Sequence, residues 1–91
     1  MSNKNHFYEI RDELCSFITY DFQYDVIWES SYDEKEDAIK IVLDNNNPDV
    51  VLDMFDRALE FGDENKFKKV ALEYDLGYII KFYYNQEPLA E

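Results

Sequence analysis

The stretch Ser30–Asn46, "SSYDEKEDAIKIVLDNN", admits two local structures, and the fold class follows from which one forms. Ser31 followed by Glu34 has the form of a capping box, and "DEKEDAIK" is rich in helix formers. Ala38, Ile39, Val42 and Leu43 then recur at helical spacing. The competing reading is a strand over Ile39 to Leu43, forming a hairpin with "YDVIW", Tyr24 to Trp28. The helix is preferred. Asp33, Glu34, Glu36 and Asp37 then fall in its opening turns, where the helix dipole favours acids.

The flanking segments read more plainly. In "HFYEIRDELCSFITYDF", Phe7, Ile10, Leu14, Phe17 and Ile18 recur on one face, which predicts a helix from about Asn5 to Tyr20. Tyr24, Val26 and Trp28 alternate with Asp25, which predicts a short strand. "NNNPDVVLDMFDRALEFG", Asn45 to Gly62, predicts a helix capped by Asn46 or Asn47, with Pro48 in its first turn and Gly62 as its stop. Asp63 then opens a further helix over "ENKFKKVALEYDL", ended by Gly77. "YIIKFYY", Tyr78 to Tyr84, predicts a buried or partner-facing strand able to pair with "YDVIW". The expected fold is α+β: one mostly helical domain over residues 1–91, with about four helices and a small two- or three-stranded sheet.

Composition narrows the function. Ninety-one residues make one domain with one core, and a hydrophobic content of 46% with seven Phe, eight Tyr and one Trp argues against a disordered acidic tail. Twenty-one Asp and Glu against nine Lys and Arg give a net charge of −12. That surface repels nucleic acid, which requires a basic footprint. A single cysteine, Cys15, leaves no intramolecular disulfide, and no apolar run reaches membrane-spanning length. A cytoplasmic protein is expected.

Catalytic chemistry finds little support. His6 is the sole histidine, and Cys15 lies too far along the same helix to meet it. Gly62 and Gly77 form no phosphate cradle. "DNNNPDVVLDMF" has oxygen ligands at its start but lacks the sixth-position Gly and twelfth-position Glu of an EF-hand loop. No enzyme activity, metal or cofactor is expected.

The charge pattern is more informative. Asp49, Asp53, Asp56 and Glu60 fall at steps of four, three and four, a single row opposite Val51, Met54, Phe55 and Ala58. At 1.5 Å per residue such charges lie roughly 5–6 Å apart, against about 3.4 Å per phosphate along one DNA strand. Asp44, Asp63 and Glu64 extend the bias, answered only by Arg57, and Asp21, Asp25 and Glu29 flank the first strand. Glu9, Asp12 and Glu13 line the first helix. Several such rows approximate a phosphate track, and can enter a basic DNA-binding groove without base readout.

The segment Asp37 to Phe55 resembles part of the phage Ocr family of DNA-mimicking antirestriction proteins, through Asp37-Ala38-Ile39, Asp44-Asn45, Pro48, Asp53 and Phe55. In overall size, acidity and aromatic content the chain is also similar to the small phage Arn anti-restriction nuclease proteins. The resemblance implies a helix–turn–helix bearing exposed acids, a cytoplasmic site of action in a bacterial host, and a DNA-shaped dimer. It implies a target among restriction endonucleases, nucleoid proteins or CRISPR effectors, with no catalytic residue. The phosphate surrogates would be Asp21, Asp25, Glu29, Asp33, Glu34, Glu36, Asp37, Asp44, Asp49, Asp53, Asp56, Glu60, Asp63 and Glu64. The alternative is an acidic immunity-type or regulatory protein that covers one specific basic partner. Tyr78, Ile80, Phe82 and Tyr84 would join two chains if their strand is an exposed edge, or fill a monomer's core if it is central.

Overall fold

A computed structural model describes residues 3–20 and 26–85. The chain runs α1 (Lys4–Ile18), β1 (Ile27–Asp33), β2 (Ala38–Leu43), α2 (Pro48–Glu64), β3 (Lys69–Tyr74) and β4 (Tyr78–Tyr83). The strands form one antiparallel sheet in the order β1-β2-β4-β3. Both helices pack on the same face of it. Ile39, Ile41 and Leu43 of β2 and Ile80 and Phe82 of β4 meet Phe7, Leu14 and Ile18 of α1 and Val51, Met54, Ala58 and Phe61 of α2 in a single core. The alternate residues, including Lys40, Val42, Ile79 and Lys81, lie on the opposite, open face.

This α+β fold has two helices and a four-stranded sheet, so the expectation of about four helices and a small sheet is corrected. The first difference falls at Ser30–Asn46. Asp33 to Leu43 is not a helix but the second half of a hairpin, with Tyr32 opposite Ile39 and Asp33 opposite Ala38. Turn chemistry overrides helix propensity here. The Asp33 carboxylate accepts the Glu36 amide N–H at 3.0 Å, while Asp37 takes a left-handed φ of 55°. Asp is among the few residues that adopt this conformation readily. β1 begins at Ile27, later than the expected strand, and Tyr24 lies outside the described residues.

The second difference follows α2. The expected capping holds at its start: the Asn47 side chain accepts the Asp49 N–H at 3.0 Å, with Pro48 in the first turn. The expected stop does not. Gly62 lies inside α2, and the helix ends instead at Glu64, with the left-handed turn supplied by Lys66 at φ 63°. There Phe67 N–H donates to the Gly62 carbonyl at 2.9 Å and Lys66 N–H to the Asp63 carbonyl at 3.3 Å, a Schellman pair of bonds. Glycine is required at 62 for space. A Cβ there would lie 2.4 Å from Val70 Cγ2, so α2 and β3 approach closely at this point. Residues 69–74 accordingly form β3 rather than a helix, and Gly77 belongs to the β3–β4 loop. β4 is a strand as expected, but it pairs with β2 and β3 and not with β1.

The Asp37 turn also gathers the ends of the described chain. Its carboxylate accepts hydrogen bonds from the Asn3 side chain at 2.9 Å, from the Tyr32 hydroxyl and from the Asn85 side chain. Its carbonyl accepts the Tyr84 N–H at 3.1 Å. Rings then continue from Tyr84 through Phe67, Phe82 and Phe61 to Phe17, linking this turn to the core. Burial, together with the nearby Tyr32 and Asp37, pushes the Tyr84 phenol above its ordinary value.

Two stability predictions follow from this geometry. Gly62→Ala should cost about 1–2 kcal/mol by overpacking, although Ala is favoured in a helix interior by about 1 kcal/mol. Val70→Ala should recover most of that loss in the double mutant, measured by urea unfolding. Leu76, left-handed at φ 63° in the β3–β4 loop and wholly exposed, gives up no packing when replaced. Leu76→Asn should therefore raise stability by about 0.5–1 kcal/mol in the same assay.

Candidate functional site: an acidic helical layer

The two helices carry half of the protein's net charge of −12, nearly all of it on α2. Burial of Val51, Met54, Ala58 and Phe61 rotates the other side of α2 outward, so that Asp49, Asp53, Asp56, Glu60, Asp63 and Glu64 are all exposed. On α1 the burial of Phe7, Leu14 and Ile18 does the same for Glu9, Asp12 and Glu13. Lys4, Arg11 and Arg57 are the only cations on these two helices. Arg11 lies 3.8 Å from Asp12, while half-buried Arg57 lines a groove with Phe17, Tyr20 and Glu60. The α2 side of this layer is thus strongly anionic and α1 nearly balanced, while most of the lysines lie elsewhere, at the turns and on the sheet.

The row Asp49, Asp53, Asp56 and Glu60 stands where its spacing placed it. Leu52 and Leu59 also lie exposed on α2, on the flank opposite Arg57, and the charge pattern alone did not single them out. They were legible as apolar positions outside the buried stripe.

The predicted surrogates outside α2 that the structure describes do not join that row. Asp33, Glu34, Glu36 and Asp37 sit at the β1–β2 hairpin, and each has a partner within the fold. Asp33 caps the turn and Asp37 holds the hydrogen-bond cluster described above. Glu36 binds Lys81 Nζ at 2.9 Å, and Glu34 stands 4.0 Å from Lys4. Asp44, which follows β2, is exposed and donates its backbone N–H to the Val26 carbonyl at 2.8 Å. Glu29 is exposed on β1, an edge strand. Asp21 and Asp25 lie outside the described residues. Of the suggested dimer residues, Ile80 and Phe82 are fully buried within the protomer, while Tyr78 and Tyr84 are partly buried. β4 has a neighbour on each side and is not an edge.

Lys81 is a site the sequence reading passed over. It projects onto the open face of the sheet, yet its side chain is only 11% exposed, held between Glu36 at 2.9 Å and Glu73 at 3.1 Å. Burial draws its pKa down, but hydrogen bonds to the two carboxylates reverse that, and the ammonium titrates above its ordinary value of 10.5. Among the described residues, no three His, Cys, Asp or Glu side chains converge to hold a metal ion. No helix among them is long and apolar enough to cross a membrane.

The folded protein holds the Lys81 proton more tightly than the unfolded chain does. Its contribution to stability is therefore full below about pH 10.5 and is lost as the pH rises through the higher folded value. The stability difference between wild type and Lys81→Met, followed by urea unfolding against pH, should stay constant through neutral pH and change only in strongly alkaline solution. No protein-family model, curated protein or solved structure matches this chain.

Proposed function

We propose that this protein is a DNA mimic, whose helical layer occupies the nucleic-acid groove of a basic DNA-binding protein such as a restriction nuclease. The observation that carries the reading is the exposed carboxylate row of α2, Asp49, Asp53, Asp56 and Glu60, extended by Asp63 and Glu64 and joined by Glu9, Asp12 and Glu13 of α1. A solvated helix face ordinarily intersperses lysines four residues from its acids, and α2 carries none. Carboxylates held on two packed helices meet a basic groove with little further loss of conformational freedom, and their field speeds encounter. Such a mimic needs no catalytic group and no cofactor, and acts in the cytoplasm where its target is found. Asp33, Glu36 and Asp37, engaged within the fold, contribute less to it than the α2 row.

Leu52 and Leu59 favour a second reading. Exposed leucines beside an acidic row suit a single specific partner, for which apolar anchors dominate affinity and the charges steer. The two readings separate in one experiment. Labelled duplex DNA is bound to several unrelated DNA-binding proteins and displaced by this protein at a series of salt concentrations. A mimic displaces DNA from more than one of them, with potency falling steeply as salt rises, and the triple change Asp53→Asn, Asp56→Asn, Glu60→Gln weakens it by at least about tenfold. If the triple variant keeps full potency on every target, the mimic reading fails. Inhibition of one target alone, lost on Leu52→Ser and Leu59→Ser but kept in the acid variant, supports the specific partner.

A further inference from the structure

One end of the sheet differs from the rest. The β1–β2 register slips between Ile27 and Glu29, leaving Trp28 as the extra residue of a bulge, and its side chain is 71% exposed. Across the sheet, the three-residue β3–β4 loop raises Leu76 fully into solvent on a left-handed backbone. These two side chains line one hollow of about 300 Å³ together with Val42, Asp44, Asn45, Asn46, Asp75 and Gly77. No lysine or arginine lines it, and Glu29 is exposed beside Trp28.

Neither large side chain is there for the fold. Leu76 has no packing role at full exposure, and its φ of 63° suits Gly or Asn better than Leu. Trp28 stands apart from the core that its neighbours Val26 and Ile27 join. Large apolar residues exposed together and rimmed by polar groups mark an interaction site. Charge then selects the occupant. Asp44, Asp75 and Glu29 repel the phosphates of nucleic acid and of anionic lipid, and a second copy of a chain with net charge −12 would bring a like rim against them.

We propose that this hollow docks a cationic protein segment, an apolar side chain of the partner seating between Trp28 and Leu76 while its lysines or arginines meet Asp44, Asp75 and Glu29. An indole face also receives such cations favourably. No residue of α1 or α2 lines the hollow, and the proposal does not depend on DNA mimicry.

Trp28 is the only tryptophan, so its emission reports directly on the hollow. The probes are the peptide Lys-Lys-Leu-Leu-Lys-Lys and its counterpart Lys-Lys-Ser-Ser-Lys-Lys, titrated into the full chain at physiological salt. The leucine peptide should shift Trp28 emission to shorter wavelength in a saturable way, and the serine peptide should bind at least about tenfold more weakly. Leu76→Asn, which suits the loop backbone, and the pair Asp44→Asn, Asp75→Asn should each weaken the leucine peptide by a similar factor. The α2 variant Asp53→Asn, Asp56→Asn, Glu60→Gln should leave that titration unchanged, which separates this site from the helical layer. Equal binding of both peptides, or no loss on Leu76→Asn, overturns the proposal. An emission shift on concentrating the protein alone also overturns it, since a second copy would then be the occupant.

Discussion

Asp37 is the residue on which the arrangement of the sheet depends. Its left-handed backbone closes the β1–β2 hairpin, and that closure commits Ala38–Leu43 to a strand. The conformation is tolerated because the Asp37 carboxylate collects donors from nearby Tyr32 in β1 and from two places distant in sequence, Asn3 before α1 and Asn85 after β4. Once β2 is a strand, β4 can lie beside it, with Ile41 opposite Ile80 and Ile39 opposite Phe82. Those pairs form the floor on which both helices rest. A local turn therefore decides a long-range layer.

The layered arrangement in turn sorts the charge. Two helices on one face of a sheet must turn their polar sides to solvent, and here those sides are mostly carboxylate. The lysines at the turns and on the sheet are elsewhere, and Lys81 is locked between Glu36 and Glu73. Net charge alone would suggest a uniformly acidic particle. The fold instead produces one strongly anionic helix face on α2, with a sheet face of mixed charge and an apolar end at Trp28 and Leu76. An excess of like charge concentrated on one exposed surface costs stability through self-repulsion.

Helix periodicity was legible where one segment carried the whole signal. The stripe Phe7, Ile10, Leu14, Phe17, Ile18 reads correctly as α1, and Asn47 with Pro48 reads correctly as the start of α2. The row Asp49, Asp53, Asp56, Glu60 was readable for the same reason, since all four are set by one helix. The errors arose where two principles competed within a few residues. "DEKED" contains good helix formers and also an Asp able to cap a turn and another able to go left-handed, and nothing local ranks these. "KVALEY" reads as part of a helix by composition and is an edge strand because β4 offers it a partner. Gly62 looked like a stop, and is a glycine because Val70 comes within 2.4 Å of where a Cβ would sit.

By itself the sequence determined the acidity, the two amphipathic helices, the β4 strand and the carboxylate spacing on α2, because each depends on residues near one another in the chain. Only the tertiary structure decided that residues 38–43 and 69–74 are strands, since a strand is stabilised by hydrogen bonds to a neighbour that the local sequence does not name. It also decided which acids are free. Asp49, Asp53, Asp56 and Glu60 look outward, whereas Glu36 and Asp37 are engaged by Lys81 and by the Asn3, Tyr32 and Asn85 side chains. Carboxylates that look alike in sequence differ in the fold because a buried ammonium or a left-handed turn needs an acceptor, and long-range packing sets where that need arises.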